Sequence, residues 1–256
     1  MGTQTGAEAF RYEGCDYRIR DDIPAAHRRT WARLSAAGSW WSGEQRVAIA
    51  GEVRAAQSCR FCAERREALS PSAISGVHAS APTASSLPAA AVDATHRIAT
   101  DAGRLTRTFV DAIAEEGVSD GGYVELVGIV VNTLSIDRFH QALGLPLEPL
   151  PVPSAGEPTH YRPPGAKPSA AFVPMISGRD AKGAEADLYD GLPVAANVLA
   201  ALSLVPDAVR ELDDLSSAHY LPRREMARFD TSLRSISRAQ IELLAGRVSA
   251  LNECFY

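Results

Sequence analysis

Residues 123–143 read YVELVGIVVNTLSIDRFHQAL. Val124, Leu126, Val127, Ile129, Val130, Val131, Leu134 and Ile136 fall on almost every side of a helical wheel, which leaves little face for water. A helix of this kind belongs in the middle of a bundle. It also carries Glu125, a carboxylate that burial obliges to find a partner or to take a raised pKa. Glu125 is therefore a candidate acid or base, with a satisfied core hydrogen bond as the alternative.

Outward from this segment the pattern stays helical. From about Ala26 to Leu69, Ala, Leu and Trp recur on one face, and Trp31, Leu34, Trp40 and Trp41 are expected to anchor a core. Ser70 to Pro88 reads as a connector rich in Ser, Ala and Pro, and helix resumes from Ala89 to about Ala114. Prolines 146, 149, 151, 153, 158, 163, 164 and 168 leave no room for a helix. Helix returns from about Val194 to Leu215, with Pro206 starting a new one at its first turn, and again over Pro222 to Asp230. The last helix is capped by Ser237 and lines up Ile241, Leu244, Val248 and Leu251. No period-two strand is visible, so an all-α fold is expected. The organisation that follows is an irregular segment over 1–25, a helical domain over 26–145, a Pro-rich linker over 146–174 and a second, truncated helical domain over 175–256.

Composition narrows the function. A net charge of −5 over 256 residues, with only short Arg clusters beside acids, argues against a nucleic-acid surface. No long apolar run and no basic-then-apolar leader appear, so a cytoplasmic protein without membrane attachment is expected. Four cysteines are too few for a disulfide scaffold. Cys59 and Cys62, three apart at a helix start, lie on one face, close enough for a disulfide and placed for the helix N-terminus to favour a thiolate. Such a pair reads as redox chemistry; half of a zinc site, with no second pair or close histidine cluster visible in the sequence, and two buried small residues are the competing readings.

The chain also matches itself. Aligning Cys59 with Cys254, an offset of 195 (254 − 59), pairs Ser42 with Ser237, Gln45 with Gln240, Ala50-Gly51 with Ala245-Gly246, Val53 with Val248 and Ala55 with Ala250. Under this reading the position after Tyr256 corresponds to Cys62. Glu242 stands twelve positions before Cys254.

That Glu-x11-Cys spacing resembles the alkylhydroperoxidase D family of the carboxymuconolactone decarboxylase superfamily. The segments ELVGIVVNTLSIDRFHQALGLP and NVLAALSLVPDAVRELDDL look like the helices that follow and precede its thiol pair. The resemblance implies an all-α fold with two related units and a Cys-x2-Cys-x3-His site, in which a glutamate and the histidine relay a proton from the active thiol. It implies Cys254 with Glu242 as one site, with Cys59 and Cys62 as a second pair. It further implies a hydroperoxide substrate, a thiol or dithiol-protein reductant, no metal, flavin or haem, and a homo-oligomer. Selenocysteine, which occurs in this superfamily, is expected from a recoded UGA after the Tyr256 codon; a UAA or UAG there would exclude it.

The departures are specific. In the first copy the position matching Glu242 is Val47, and the position four after Cys62 is Arg66, not histidine. Glu52 is a substitute relay and Arg66 a possible electrostatic partner, with an exposed helix-face charge as the alternative for both. His78, in the loop SGVHAS, is the nearest downstream histidine and is not assigned to the site. Cys15 reads as a bystander, and His140 and His219 as core or cap residues. No phosphate-binding glycine loop, Gly-x-Ser-x-Gly or His-Glu-x-x-His is present. A thiol-dependent peroxidase is the expected activity; the rivals are a lactone decarboxylase and a non-catalytic helical oligomerisation module.

Overall fold

The computed structural model describes residues 9–190, 195–226, 228–230 and 233–252. Among the described residues there are ten α-helices, with four short 3-10 turns between them: α1 (Asp22–Ser35), α2 (Gly43–Ala56), α3 (Arg60–Glu67), α4 (Ala89–Asp101), α5 (Arg107–Glu115), α6 (Asp120–Ala142), α7 (Asn197–Ala200), α8 (Pro206–His219), α9 (Arg223–Met226) and α10 (Arg238–Leu251). Among the described residues the only strand-like pairing is an isolated bridge between Lys167 and Met175, so the fold is all-α as expected.

The apolar helix is at the centre. α6 packs against α2, α4 and α8, which is why Val124, Leu126, Ile129, Val130 and Ile136 are all buried. Each such side chain contributes about 1.5–3 kcal/mol of burial before chain entropy is subtracted. α1 covers α8 and α2. No helix among the described residues is long and apolar enough to cross a membrane; α6 has the length but carries Glu125, Asp137 and Arg138.

Several segments differ from the sequence-based expectation: among the described residues the stretch before Pro206 is helical only over Asn197–Ala200, and the helix expected over Pro222 to Asp230 only over Arg223–Met226. The helix expected from Ala89 to about Ala114 is two, because the Thr106 hydroxyl accepts from the Phe109 N–H and starts α5 afresh. In the turn between them Arg104 donates to the carbonyls of Ala68, Arg65 and Arg66 at the end of α3. The N-terminal segment is irregular but packed: Phe10 is almost fully buried, ring to ring with His27, Trp31 and His140. The proline-rich stretch forms no helix, yet it lies along α1 and α2. Pro149 accepts from the Trp31 indole, and Ser154, Thr159 and His160 donate their N–H groups to Ser35, Gly38 and Ser39.

A line of polar groups threads this part of the core. His140 Nδ1 donates to the Pro146 carbonyl at 2.7 Å, which leaves Nε2 to accept from the Tyr12 hydroxyl at 3.1 Å. The Tyr12 oxygen then accepts from His27 Nδ1, and His27 Nε2 accepts from His219 Nε2 at 2.6 Å. One all-neutral tautomer set satisfies every bond. Burial and the neighbouring His219, His140 and Arg28 push His27 down to about 3; burial and Arg20 push His219 down to about 4.

The internal match has a structural counterpart. α2 and α10 are both 14 residues long and start with the same capping box, Ser42 with Gln45 and Ser237 with Gln240. Their surroundings differ: α2 is buried along most of its length, whereas α10 buries Ile241 and leaves Leu243, Leu244, Val248 and Leu251 exposed.

Candidate functional site

The thiols of Cys59 and Cys62 lie where α2 hands over to α3. α2 stops at Ala56 and a tight turn through Gln57 and Ser58 follows. Cys59 then takes the N-cap position of α3 in extended conformation, with Cys62 one turn on and both buried. α3 is only eight residues long and gains its order from contacts, among them the Arg104 guanidinium on its last carbonyls.

Two histidines, each held by a carboxylate, converge on the sulfurs. Glu52, on the buried face of α2, is fully enclosed; its Oε1 accepts from the Ala81 N–H at 2.6 Å and its Oε2 from His96 Nε2 at 2.8 Å. A carboxylate only accepts, so His96 carries its hydrogen on Nε2 and presents the Nδ1 lone pair. That atom lies 3.2 Å from Cys62 Sγ. Burial holds His96 below its ordinary pKa, against the pull of Glu52. Cys62, His96 and Glu52 thus lie in line as a thiol, an imidazole that faces it with a lone pair, and a carboxylate that orients the ring.

A second line meets it. Asp93 and His96 are three apart on α4, on neighbouring positions of one face. Asp93 accepts from His78 Nε2 at 2.8 Å and from the Arg65 guanidinium. His78 Nδ1 lies 3.5 Å from Cys62 Sγ and 3.7 Å from Cys59 Sγ. Burial works against the charge on His78, but Asp93 and the two sulfurs raise it to about 10. Burial likewise opposes the charge on Asp93, which His78 and Arg65 nevertheless hold at about 2. Burial would push the Cys59 thiol up; the backbone N–H groups of Ala79 and Cys62, with His78, bring it down to about 7. The loop bearing His78 approaches closely enough that a Cβ on Gly76 would stand 2.5 Å from the Phe61 ring. The Arg65 guanidinium covers that ring at 4.1 Å.

Neither a family model, nor a curated protein, nor a solved structure matches this chain. The site is read from its own chemistry.

Of the residues singled out from the sequence, Cys59, Cys62 and Glu52 come together. Arg66 is exposed, and its neighbour Arg65 is the one that turns inward to Asp93. Glu125 is bonded elsewhere, to the buried Arg46 guanidinium and to the Trp40 N–H at 2.6 Å. Glu242 is partly exposed and accepts from the Tyr220 hydroxyl and from Arg238, both at 2.6 Å; Cys254 lies outside the described residues. Sequence reasoning missed His96 and Asp93 and left His78 aside. The available signal was Glu52 itself, because a carboxylate among Ile49, Val53 and Ala56 needs a buried partner, and the alanine-rich face of α4 offers one histidine.

Proposed function

We propose that Cys59 and Cys62 are the redox pair of a thiol-dependent peroxidase. The observation that carries this reading is the line from Cys62 Sγ through His96 to Glu52, at 3.2 and 2.8 Å, within one buried cluster that also holds Cys59. Cys59, with the Ala79 N–H directed at its sulfur at 3.4 Å and His78 alongside, is the attacking thiolate. Its sulfur takes the terminal oxygen of a hydroperoxide as the O–O bond breaks, leaving Cys59 as a sulfenic acid, and the alkoxide leaves as an alcohol with a proton from His78. His96 then accepts the Cys62 proton, and the Cys62 sulfur displaces hydroxide from the Cys59 sulfur; that hydroxide takes the proton from His96 and leaves as water. The balance is two thiols and one hydroperoxide to one disulfide, one alcohol and one water. An external thiol or dithiol protein restores the pair by exchange.

The test is peroxide titration of chelator-treated protein followed by peptide mapping. Two thiols per chain are lost to a Cys59–Cys62 disulfide, and Cys62→Ser halts at a Cys59 sulfenic acid that dimedone traps. Unchanged thiols in peroxide, or a disulfide formed elsewhere, would refute the assignment. The resemblance to the alkylhydroperoxidase D group supports the same chemistry and adds a homo-oligomer, which light scattering on the eluting protein checks.

A further inference from the structure

We propose that Cys59, Cys62, His78 and His96 form a four-coordinate site for a borderline divalent ion, zinc above all. The four donor atoms lie within 4.8 Å of one another. Zinc bonds of about 2.3 Å to sulfur and 2.0–2.1 Å to nitrogen in tetrahedral array require ligand-to-ligand separations of about 3.3–3.8 Å. The sulfur-to-nitrogen separations here are 3.2 Å from Cys62 to His96, 3.5 Å from Cys62 to His78 and 3.7 Å from Cys59 to His78. A metal thus enters with small adjustments of side chains that already face one point.

The surroundings fit independently. Both histidines present Nδ1 to the sulfurs, and both give Nε2 to a carboxylate: His78 to Asp93 and His96 to Glu52, each at 2.8 Å. This carboxylate–histidine pairing orients metal-bound imidazoles and raises their basicity. Two thiolates balance the charge of a divalent ion, and two sulfurs with two imidazoles suit zinc rather than magnesium or calcium. The cysteines and His96 are buried, and His78 is nearly so, which leaves four protein ligands and no open position for a catalytic water. The ion therefore holds the loop around His78 to the start of α3 and to α4.

Metal binding stands without the redox reading; what links the two does rest on that reading. A disulfide and a zinc ion require the same two sulfurs. Two zinc-bound thiolates, one hydrogen peroxide and two protons give one disulfide, two waters and one free zinc ion. Bound zinc thereby holds the pair in reserve, and oxidation by peroxide releases it.

The experiment starts from full-length protein stripped by chelator and titrated with cobalt(II). One equivalent is expected to give the intense visible bands of a tetrahedral ion and a thiolate-to-cobalt charge-transfer band in the near ultraviolet. Stoichiometric zinc then bleaches both. Cys62→Ser abolishes the charge-transfer band or reduces it by half, and Glu52→Gln weakens zinc binding by about 10- to 100-fold in competition with a chromophoric chelator. Circular dichroism of each variant separates ligand loss from misfolding. Absence of both bands in the wild-type protein overturns the metal site. The coupling is read by adding peroxide to zinc-loaded protein with a zinc indicator present: one zinc appears for each two thiols lost. Thiol loss with zinc retained overturns the coupling alone, and a metal-free protein inert to peroxide overturns the redox reading while leaving the metal site standing.

Discussion

The buried, bonded pair His27 and His219 makes stability depend on pH in a calculable way. His27 is fully buried and held down to about 3, whereas an unfolded histidine titrates near 6.5. The folded-state value is depressed, so the unfolded chain binds more protons as pH falls below about 6.5, and folding stability falls with it. Its contribution is fully present above about 6.5 and is lost on acidification toward 3. Integrated from pH 7 to pH 5, this single imidazole withdraws about 2 kcal/mol. His219 acts in the same direction and His78 in the opposite one, since its raised value means stability that is complete below about 6.5 and lost as pH rises toward 10. A difference measurement removes these shared contributions. His27→Gln keeps hydrogen-bonding capacity but cannot take up a proton; at pH 7 it loses about 1–3 kcal/mol through imperfect bonds to Tyr12 and His219. At pH 5 the wild-type advantage shrinks by about 2 kcal/mol, so the two proteins unfold at nearly the same urea concentration. Urea unfolding followed by circular dichroism at both pH values is the assay. If wild type and variant lost stability in parallel, the reasoning that His27 is held neutral would be refuted.

Glu125→Ala leaves the buried Arg46 guanidinium to Glu211 alone and takes the acceptor from the Trp40 N–H, with an expected loss of about 3 kcal/mol in chemical denaturation; the kinetics of thiol oxidation stay unchanged in the folded variant, and a slower oxidation would restore Glu125 as a relay. Gly76→Ala drives a methyl group toward the Phe61 ring and lifts the loop bearing His78, costing about 1–3 kcal/mol and slowing alkylation of Cys59 at neutral pH; a thermal midpoint and alkylation rate equal to wild type would contradict the packing. Ser42→Ala removes a cap on a core helix and lowers global stability by about 1 kcal/mol, while Ser237→Ala, on the mostly exposed α10, lowers helical ellipticity with little change in the urea midpoint; equal effects would show that α10 is as deeply packed as α2.

What the sequence makes legible follows the range of the interactions. The capping boxes at Ser42 and Ser237 span four residues, and the burial of α6 is written in its own side chains; both can be read from residue order alone. The thiol pair is local too. Its supporting groups are not: the bond from Cys62 to His96 joins positions 34 residues apart, and that from Glu52 to His96 joins positions 44 apart, with a connector between that has no periodicity. The family pattern directed attention to position 66, one turn along α3, whereas this chain draws its histidines from a loop and from α4. The return of Phe10 and Tyr12 into the core escaped for a related reason, since both turn inward through left-handed backbone at φ 57° and 55°, which residue type does not announce.

Arg104 fixes the last turn of α3 through its backbone carbonyls, whereas the first turn is held by side chains, Cys59 and Cys62 against His78 and His96. Its guanidinium grips the carbonyls of Arg65, Arg66 and Ala68, while at the other end Cys59 leads in from the short Gln57–Ser58 turn. Closing a sulfur–sulfur bond, or admitting an ion, therefore changes the contacts that hold the first turn and leaves those of the last turn in place. Backbone amides at residues 57–62 should exchange with solvent at rates that track the state of the thiols, while those at 65–68 keep time with the body of the bundle.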